Sequence, residues 1–192
     1  MFKIANNNIK PEKGSILIAE PFLSDKYFER SVVLLVEHNG SQGTMGFVLN
    51  KMIQEKMSDF FPEMKGFNEI PVFRGGPVGP DRLYFIHTLG DIIPDTYEVV
   101  EGLYFGGDFD IIKSYITSGN STEGKIKFFL GYSGWEQKQL DGEIAQHSWL
   151  VGKIEQSKIM KSEGELFWKK SLHSLGGQYK SWANFPKQPF MN

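Results

Sequence analysis

Four polar residues stand at the ends of an apolar hairpin in the first quarter of the chain. They are Asp25, Arg30, His38 and Asn50, and residues 32–36 between them are wholly apolar. A carboxylate, a guanidinium, an imidazole and an amide at strand ends can together bind a small anionic ligand. The same side chains can also cap the hairpin and satisfy its backbone. The residue types are therefore compatible with a binding site and also with residues that only stabilise the hairpin.

Arg30 stands at the entry to the apolar run, where an unpaired guanidinium is costly to bury. The sequence therefore predicts a carboxylate partner for it, either Asp25 or Glu29. His38 has Glu37 beside it, but adjacent strand residues point to opposite faces. The four histidines of the chain also lack the i, i+4 spacing of a helical metal pair. We therefore interpret His38 as a residue with local hydrogen bonds, and we expect no metal site.

A second candidate site is the glycine-rich loop that begins at Arg74. Gly75 and Gly76 could form a backbone nest beside this arginine that accepts an anionic group. However, the loop lacks the Gly-Lys-Ser/Thr ending of a P-loop, and its prolines remove amide donors. A stiff connection with unusual glycine dihedral angles is the other interpretation. Phosphate or nucleotide binding and a purely structural loop both stay open.

Ser133 lies between a predicted strand and a predicted helix, where hydrolases place a nucleophilic serine on a sharp turn. The Gly-x-Ser-x-Gly pattern fails because its fifth position is Trp135. Asp141 or Glu143 with His173 follow in the order of a triad, but spacing alone is a permissive test. We expect a structural turn with an anchoring tryptophan and no catalytic residue. A small serine hydrolase is the alternative.

The composition limits the partners and the compartment. A formal net charge of -2 argues against a protein that binds DNA directly through an excess of lysine and arginine. The chain has no cysteine, which excludes disulfides and cysteine metal sites, and no cofactor is predicted. No apolar run approaches the roughly 20 residues that span a bilayer, and residues 1–10 lack a signal-peptide core. We expect a cytoplasmic protein with no membrane partner.

The elements that must position these residues are mostly strands. Strands are predicted at residues 15–19, 31–36, 44–49, 71–73, 83–89, 125–130 and 147–154, with a hairpin over 97–105. Helical segments are predicted at residues 25–30, 57–61, 109–118, 136–145 and 163–175. Because strands dominate and helices are interspersed irregularly, the pattern is typical of an α+β fold.

Two helix starts are predicted from their capping residues. Asp108 and Asp110 resemble a carboxylate pair, but both fall at the start of a helix that Gly119 ends, where acids cap free amides. Ser162 and Glu165 have the spacing of a capping box. We therefore assign all four side chains to helix termini.

The polar and glycine positions also match a known family. The opening block of the AlgH/YqgE family of bacterial proteins resembles a set that begins at Glu20 and ends at Asn50: Glu20, Pro21, Asp25, Phe28, Arg30, Ser31, Val32, Glu37, His38, Asn39, Gly43, Gly46 and Asn50. Residues 74–78, residues 131–135 with Leu140 and Glu143, and Trp149 look like its later blocks. The resemblance covers roughly residues 14–150.

The length of the chain and the resemblance both predict one domain over residues 1–192. We interpret residues 1–13 as an N-terminal arm and residues 176–192 as an aromatic tail. The resemblance implies a mixed, mostly antiparallel, bifurcated sheet curled into a pseudo-barrel with a few flanking helices. The family is largely uncharacterised, and some members are described as transcriptional regulators, although this chain shows no helix-turn-helix pattern. Similar sequences often have alanine in place of Ser133.

The expectation is accordingly a binding or regulatory protein that is not an enzyme. Its site is expected near Asp25, Arg30, His38, Asn50 and the Arg74, Gly75, Gly76 loop. An anionic small molecule or a protein partner of unknown identity is the expected ligand.

Overall fold

The structure is a computed structural model that describes residues 9–39, 41–67 and 69–187. Parts of the predicted N-terminal arm and C-terminal tail, and Gly40 of the hairpin loop, lie outside the described residues. The strands are β1 Ile16–Ala19, β2 Val32–Asn39, β3 Gly43–Val48, β4 Val72–Arg74, β5 Val78–His87, β6 Tyr97–Val100, β7 Leu103–Phe105, β8 Ile126–Trp135 and β9 Trp149–Gly152. The helices are α1 Met57–Phe60, α2 Phe109–Thr117, α3 Gln139–Ala145, α4 Gln156–Met160, α5 Gly164–Leu175 and α6 Tyr179–Trp182, with a 3-10 segment at Pro62–Phe67.

The apolar run at residues 32–36 is the central strand that its pattern predicts. All five residues are buried, because β2 pairs with β1 on one edge and β3 on the other and both of its faces are covered. Leu34 belongs to a core cluster with Trp168 of α5, whereas Leu35 belongs to a cluster with Trp149 and Leu140 of α3. Gly46 of β3 is required because a Cβ there would contact Leu34 O at 2.6 Å.

The sheet is mixed and bifurcated, as expected. Its order is β6-β7-β5-β8-β3-β2-β1-β9, and β4 adds to β8 as the parallel strand. The division occurs on β8, which pairs with β4 over residues 128–130 and with β3 over residues 133–135. The sheet is not a closed barrel, but the segment before β1 reaches the β6 end of the sheet, where Lys13 Nζ donates to Glu98 O at 2.7 Å. The predicted pseudo-barrel is therefore open, with no strand pair closing it among the described residues.

Two of the predicted boundaries are wrong. β8 continues through residues 131–135, which are strand rather than the predicted turn, because Gly131 takes a φ of +66° and bends the strand without ending it. β5 begins at Val78 rather than Leu83, and Val78 pairs with Tyr132 before the register shifts. Residues 26–30 form hydrogen-bonded turns instead of a helix.

One predicted helix cap is confirmed and one is wrong. The carboxylate of Asp108 accepts from the amides of Asp110 and Ile111, and α2 follows. The capping box of Ser162 and Glu165 is absent, because the buried hydroxyl of Ser162 donates instead to Ile159 O and Leu49 O. None of the helices in the described part of the chain is long and apolar enough to span a bilayer.

Candidate functional site

Arg30 has a carboxylate partner, but it is neither of the two that the sequence suggests. Its guanidinium pairs through Nη1 with Glu165 of α5, and Nη2 donates to Phe185 O at 2.5 Å. It also lies over the Trp168 ring, 5.0 Å from the centroid. The expected partner Asp25 is occupied elsewhere, since its carboxylate accepts from the amides of Tyr27 at 2.8 Å and Phe28 at 3.2 Å.

The pKa of Glu165 reports the strength of this pair. Partial burial acts to raise it, but the hydrogen bond and charge of Arg30, with help from Lys169 and Lys187, outweigh that effect. The pKa of the carboxyl therefore lies below its ordinary value, and Glu165 is ionised at neutral pH. Arg30 is only 5% exposed, so this charge is what makes its burial tolerable.

Asn50 joins the start of β2, the end of β3 and the start of α5. Its Oδ1 accepts from Val32 N at 2.9 Å, and its Nδ2 donates to Arg30 O and Gly164 O, both at 3.0 Å. The side chain is 3% exposed and both of its polar atoms are bonded. Arg30 and Asn50 thus lie together, joined by the hydrogen bond from Asn50 Nδ2 to Arg30 O. Both side chains are buried, and neither lines the cavities described below.

His38 lies far from this pair. It is at the opposite end of β2, roughly 20 Å from Val32 at the usual rise of a strand, and its Nδ1 hydrogen-bonds Thr44 Oγ1 at 2.7 Å. The local hydrogen bonding expected of His38 is what the structure shows. The described residues contain no group of three or more histidine or acidic side chains placed to hold a metal ion.

The backbone of the glycine loop is engaged in packing. Gly75 N donates to Leu130 O at 2.8 Å, and Gly75 O accepts from Val48 N at 2.8 Å and from Ser133 Oγ at 2.9 Å. A Cβ on Gly75 would overlap Gly131 O, and one on Gly76 would overlap the Tyr132 backbone. Close approach to β8 therefore accounts for both glycines.

Ser133 and its candidate partners are not assembled as a triad. The buried hydroxyl of Ser133 donates to Gly75 O. Glu143 accepts at Oε2 from the indoles of both Trp135 and Trp149, at 2.9 and 2.8 Å. His173 is exposed near the end of α5. Trp135 is anchored by its indole nitrogen, as its sequence context suggests.

A cavity of about 640 Å³ opens beside Arg74, and we call it the cationic pocket. Its lining residues are Lys26, Tyr27, Lys51, Met52, Ile53, Gln54, Glu55 and Arg74. Three of them are cations and one is an acid. This pocket is the part of the predicted region that is open to a ligand.

Backbone pairing places two of these cations side by side. Met52 forms an antiparallel bridge with Phe73, so Lys51 lies opposite Arg74, and Arg74 N donates to Lys51 O at 2.8 Å. Opposite residues in antiparallel strands carry their side chains on the same face, with Cβ atoms about 5 Å apart. The capped turn after Asp25 adds Lys26 to the same wall.

Neither Lys51 nor Arg74 has a carboxylate within 4.0 Å among the residues that the structure describes. Burial lowers the pKa of Lys51 below its ordinary value, and the nearby charge of Glu29 offsets only part of that shift. Lys187 and Arg30 lower it further, while Glu165 acts in the opposite direction. The pocket wall therefore carries three cations against one carboxylate, Glu55, and the charges of Glu29 and Glu165 act on Lys51 from outside the lining.

Sequence reasoning located Arg74 but missed Lys26 and Lys51. Lys26 directly follows Asp25, and Lys51 directly follows Asn50. The relation of Lys51 to Arg74 depends on a single bridge between segments about twenty positions apart, which no local pattern reveals. The only available signal was the presence of lysines immediately beside the conspicuous polar residues.

Comparison with known proteins shows which family the chain belongs to. A family model described as AlgH-like matches residues 16–180. The chain belongs to the AlgH-like family. It is 53% identical to a UPF0301 protein of Parabacteroides distasonis, over all of this chain and 97% of that protein. It is 47% identical to the UPF0301 protein BF2109 of Bacteroides fragilis, with the same coverage.

Two solved structures share the architecture. The solution structure of AlgH from Pseudomonas aeruginosa has a TM-score of 0.71 and 28% identity, and covers 93% of this chain and 98% of that one. The crystal structure of protein DIP2367 from Corynebacterium diphtheriae has a TM-score of 0.74 at 20% identity, with 95% of each chain covered. The second likeness concerns the fold alone. The family is one of uncharacterised proteins.

Proposed function

We propose that this protein is a cytoplasmic binding protein that takes a small anionic ligand in the cationic pocket. The observation that carries the proposal is the opposed pair of Lys51 and Arg74, neither of which has an ion-pair partner among the described residues. Like charges directly opposite one another destabilise a strand pair. An anion between them would remove that repulsion.

The chemistry of the pocket indicates a phosphate or carboxylate group. Arg74 presents a planar guanidinium that can hold two oxygens at once, and Lys51 and Lys26 add point charges. A volume of about 640 Å³ suits a small metabolite. Because Lys51 is partly desolvated, an anion beside it would interact more strongly than at a fully exposed lysine.

The same features argue against direct DNA contact. The cations are confined to one concave wall, and the formal net charge of the chain is -2. A regulatory role of the kind suggested for some relatives would then operate through the bound ligand and a protein partner. The serine hydrolase alternative receives no support, because the Ser133 hydroxyl is buried and bonded to a carbonyl.

Ligand-dependent stability tests the proposal. Thermal unfolding is measured with inorganic phosphate, pyrophosphate, citrate and ATP, since a ligand at 100 times its Kd adds about 2.7 kcal/mol. We expect at least one of these anions to stabilise the protein saturably. Arg74→Gln should raise the Kd of that anion by about tenfold or more, because a charged hydrogen bond is lost.

Arg82→Gln is the matched control, because Arg82 is an exposed arginine of β5 outside the pocket. It should leave the anion affinity unchanged. Equal stabilisation of the wild type and of Arg74→Gln by every anion, or none in either, would contradict the proposal.

A further inference from the structure

Lys127 of β8 is a buried amine with few partners. It is 4% exposed, its Nζ donates to Ser162 O at 2.5 Å, and it lies 3.5 Å from the centroid of the Phe73 ring. No carboxylate lies within 4.0 Å of this nitrogen in the described part of the chain. Its position is set by the parallel pairing of β4 with β8, which brings Phe73 alongside.

A second cavity, of about 540 Å³, lies against this amine. Lys127, Phe73 and Ser162 all line it, so the three groups that meet at the amine also form part of the cavity wall. It is separate from the cationic pocket, with which it has no lining residue in common. The amine is therefore buried from bulk solvent at the wall of a space large enough for a small molecule.

We propose that Lys127 is a nucleophilic amine that condenses reversibly with a small uncharged aldehyde held in this cavity. The lone pair of Nζ attacks the carbonyl carbon, a C–N bond forms, and the carbonyl electron pair moves to oxygen, which gains a proton from the nitrogen. The resulting carbinolamine loses its hydroxyl group with the remaining nitrogen proton as water. A C=N bond results, and no oxidant or reductant takes part.

Desolvation makes the amine available for this reaction. Burial lowers the pKa of Lys127 to about 7, and the nearby charge of Glu163 opposes the shift only in part. At pH 7 about half of such an amine is free base, against about 0.04% of an ordinary lysine with a pKa near 10.4. Lysines desolvated in apolar surroundings are the ones that form Schiff bases.

The charges around the cavity indicate an uncharged partner. Three carboxylates line it, Glu69, Glu123 and Glu163, against the ammonium of Lys161 and the half-protonated Lys127. An anionic carbonyl compound would face net repulsion there. The apolar wall offered by Phe73 favours an alkyl chain.

Reductive trapping on the full-length protein tests the proposal. Propanal and cyanoborohydride are added at pH 7, and the early rate of N-propylation at each lysine is measured by peptide mass spectrometry. Lys125 and Lys161 serve as internal controls, because both are exposed and lie at or beside the same cavity. We expect Lys127 to react at least about tenfold faster than either, since its free-base fraction is about a thousandfold above that of an ordinary lysine.

The pH profile of the N-propylation rate distinguishes an amine with a lowered pKa from one that the aldehyde simply reaches more easily. With cyanoborohydride in excess, so that condensation limits the rate, the rate at Lys127 should level off above about pH 7. The free-base fraction of an ordinary lysine, in contrast, keeps rising about tenfold per pH unit to pH 9. Lys127→Met should remove the fast phase, and Lys125→Met should retain it. In the wild-type protein, a rate at Lys127 equal to or below that at Lys125 would overturn the proposal. This measurement does not depend on whether the variants fold.

A second probe tests the ligand class. With glyoxylate in place of propanal, the ratio of the Lys127 rate to the Lys125 rate should fall at least about threefold, because the probe carries a carboxylate into an acidic cavity. A higher ratio for glyoxylate would contradict the assignment to uncharged aldehydes.

Discussion

Arg30 and Lys127 are buried to nearly the same extent, at 5% and 4% exposure, in opposite surroundings. Arg30 has a carboxylate, a backbone carbonyl and an indole face, so its charge is compensated. Lys127 has one carbonyl and one phenyl ring. The first arrangement holds a charge permanently, and the second makes the charge costly and the proton easy to lose. The partners of a buried cation, and not its burial, decide whether it is structural or reactive.

The largest expected effect is a loss of stability at Asn50, which hydrogen-bonds the backbone of Arg30. Asn50→Ala removes the amide that bonds Val32 N, Arg30 O and Gly164 O, and leaves these buried groups unpaired. We expect the free energy of unfolding to fall by about 4 kcal/mol. Urea denaturation measures it. Asn120→Ala, which removes an exposed amide, should cost less than about 1 kcal/mol. Comparable losses of stability in the two variants would show that the three hydrogen bonds of Asn50 do not stabilise the fold as expected.

The second largest expected effect is the contribution of Lys127 to the free energy of unfolding, which depends on pH. The folded amine has a pKa of about 7, so above pH 7 the unfolded chain binds more protons than the native protein. Stability contributed by this group must therefore rise with pH, from the folded pKa towards the unfolded value near 10.4. Relative to Lys127→Met, the wild type should gain about 3 kcal/mol between pH 7 and pH 10.

Urea denaturation at a series of pH values checks this difference, and Lys125→Met provides the exposed control. The stability curves of the wild type and of Lys125→Met should run parallel. Parallel curves for Lys127→Met as well would mean that Lys127 keeps an ordinary pKa, and its contrast with Arg30 would disappear.

A smaller loss of stability is expected when Arg30, like Lys127, has no carboxylate partner. Glu165→Gln removes the opposing charge while keeping the length of the side chain. Because Glu165 is 34% exposed and water can partly replace it, we expect a loss of about 2 kcal/mol at pH 7, below the value for a wholly buried pair. Thermal or urea unfolding measures it, and Glu155→Gln, in an exposed pair with Lys158, should change stability by less than about 0.5 kcal/mol.

The pH dependence of this loss sharpens the comparison. The pKa of Glu165 is depressed in the folded state, so its contribution is present above the unfolded pKa and is lost as the pH falls through the folded value. The stability difference between the wild type and Glu165→Gln should therefore shrink progressively as the pH falls below the ordinary glutamate pKa of about 4.3. A difference that stays constant as the pH falls would point to a packing effect instead of charge.

The smallest effect concerns the cationic pocket, where Arg74 is exposed and Lys51 is half-buried. Neither has a carboxylate within 4.0 Å among the described residues. Without a ligand, Arg74→Gln should leave stability unchanged or raise it by up to about 0.5 kcal/mol, because repulsion from Lys51 is removed. Denaturation in a chloride buffer free of phosphate measures it. A loss above about 1 kcal/mol would place Arg74 with Arg30 among the structural cations.

The features that could be predicted are those in which neighbouring residues decide the outcome. The apolar run at 32–36 predicts a strand buried on both faces, and Asp108 predicts a helix cap. Each depends on local periodicity or on a single side chain and its adjacent amides. The α+β class and the bifurcated sheet follow from the family resemblance and the number of strands.

The features that could not be predicted depend on contacts between distant segments. Arg30 clearly needed a carboxylate, but nothing near it in the chain identifies Glu165 as that partner, 135 positions later. Lys127 sits in a strand whose neighbours are apolar, which signals a buried stem, yet the absence of a counter-charge is visible only in three dimensions. For the same reason the pairing of Lys51 with Arg74 required the bridge at Met52.

The position of β1 has a consequence for synthesis on the ribosome. β1 pairs with β2 on one edge and with β9 on the other, so Ile16 meets Gly152 only after most of the chain has been made. At about 5–20 residues per second, translation leaves that apolar edge without its partner for roughly 10 s. During this interval the nascent chain presents an unpaired strand edge that a chaperone can cover and that another nascent chain can join.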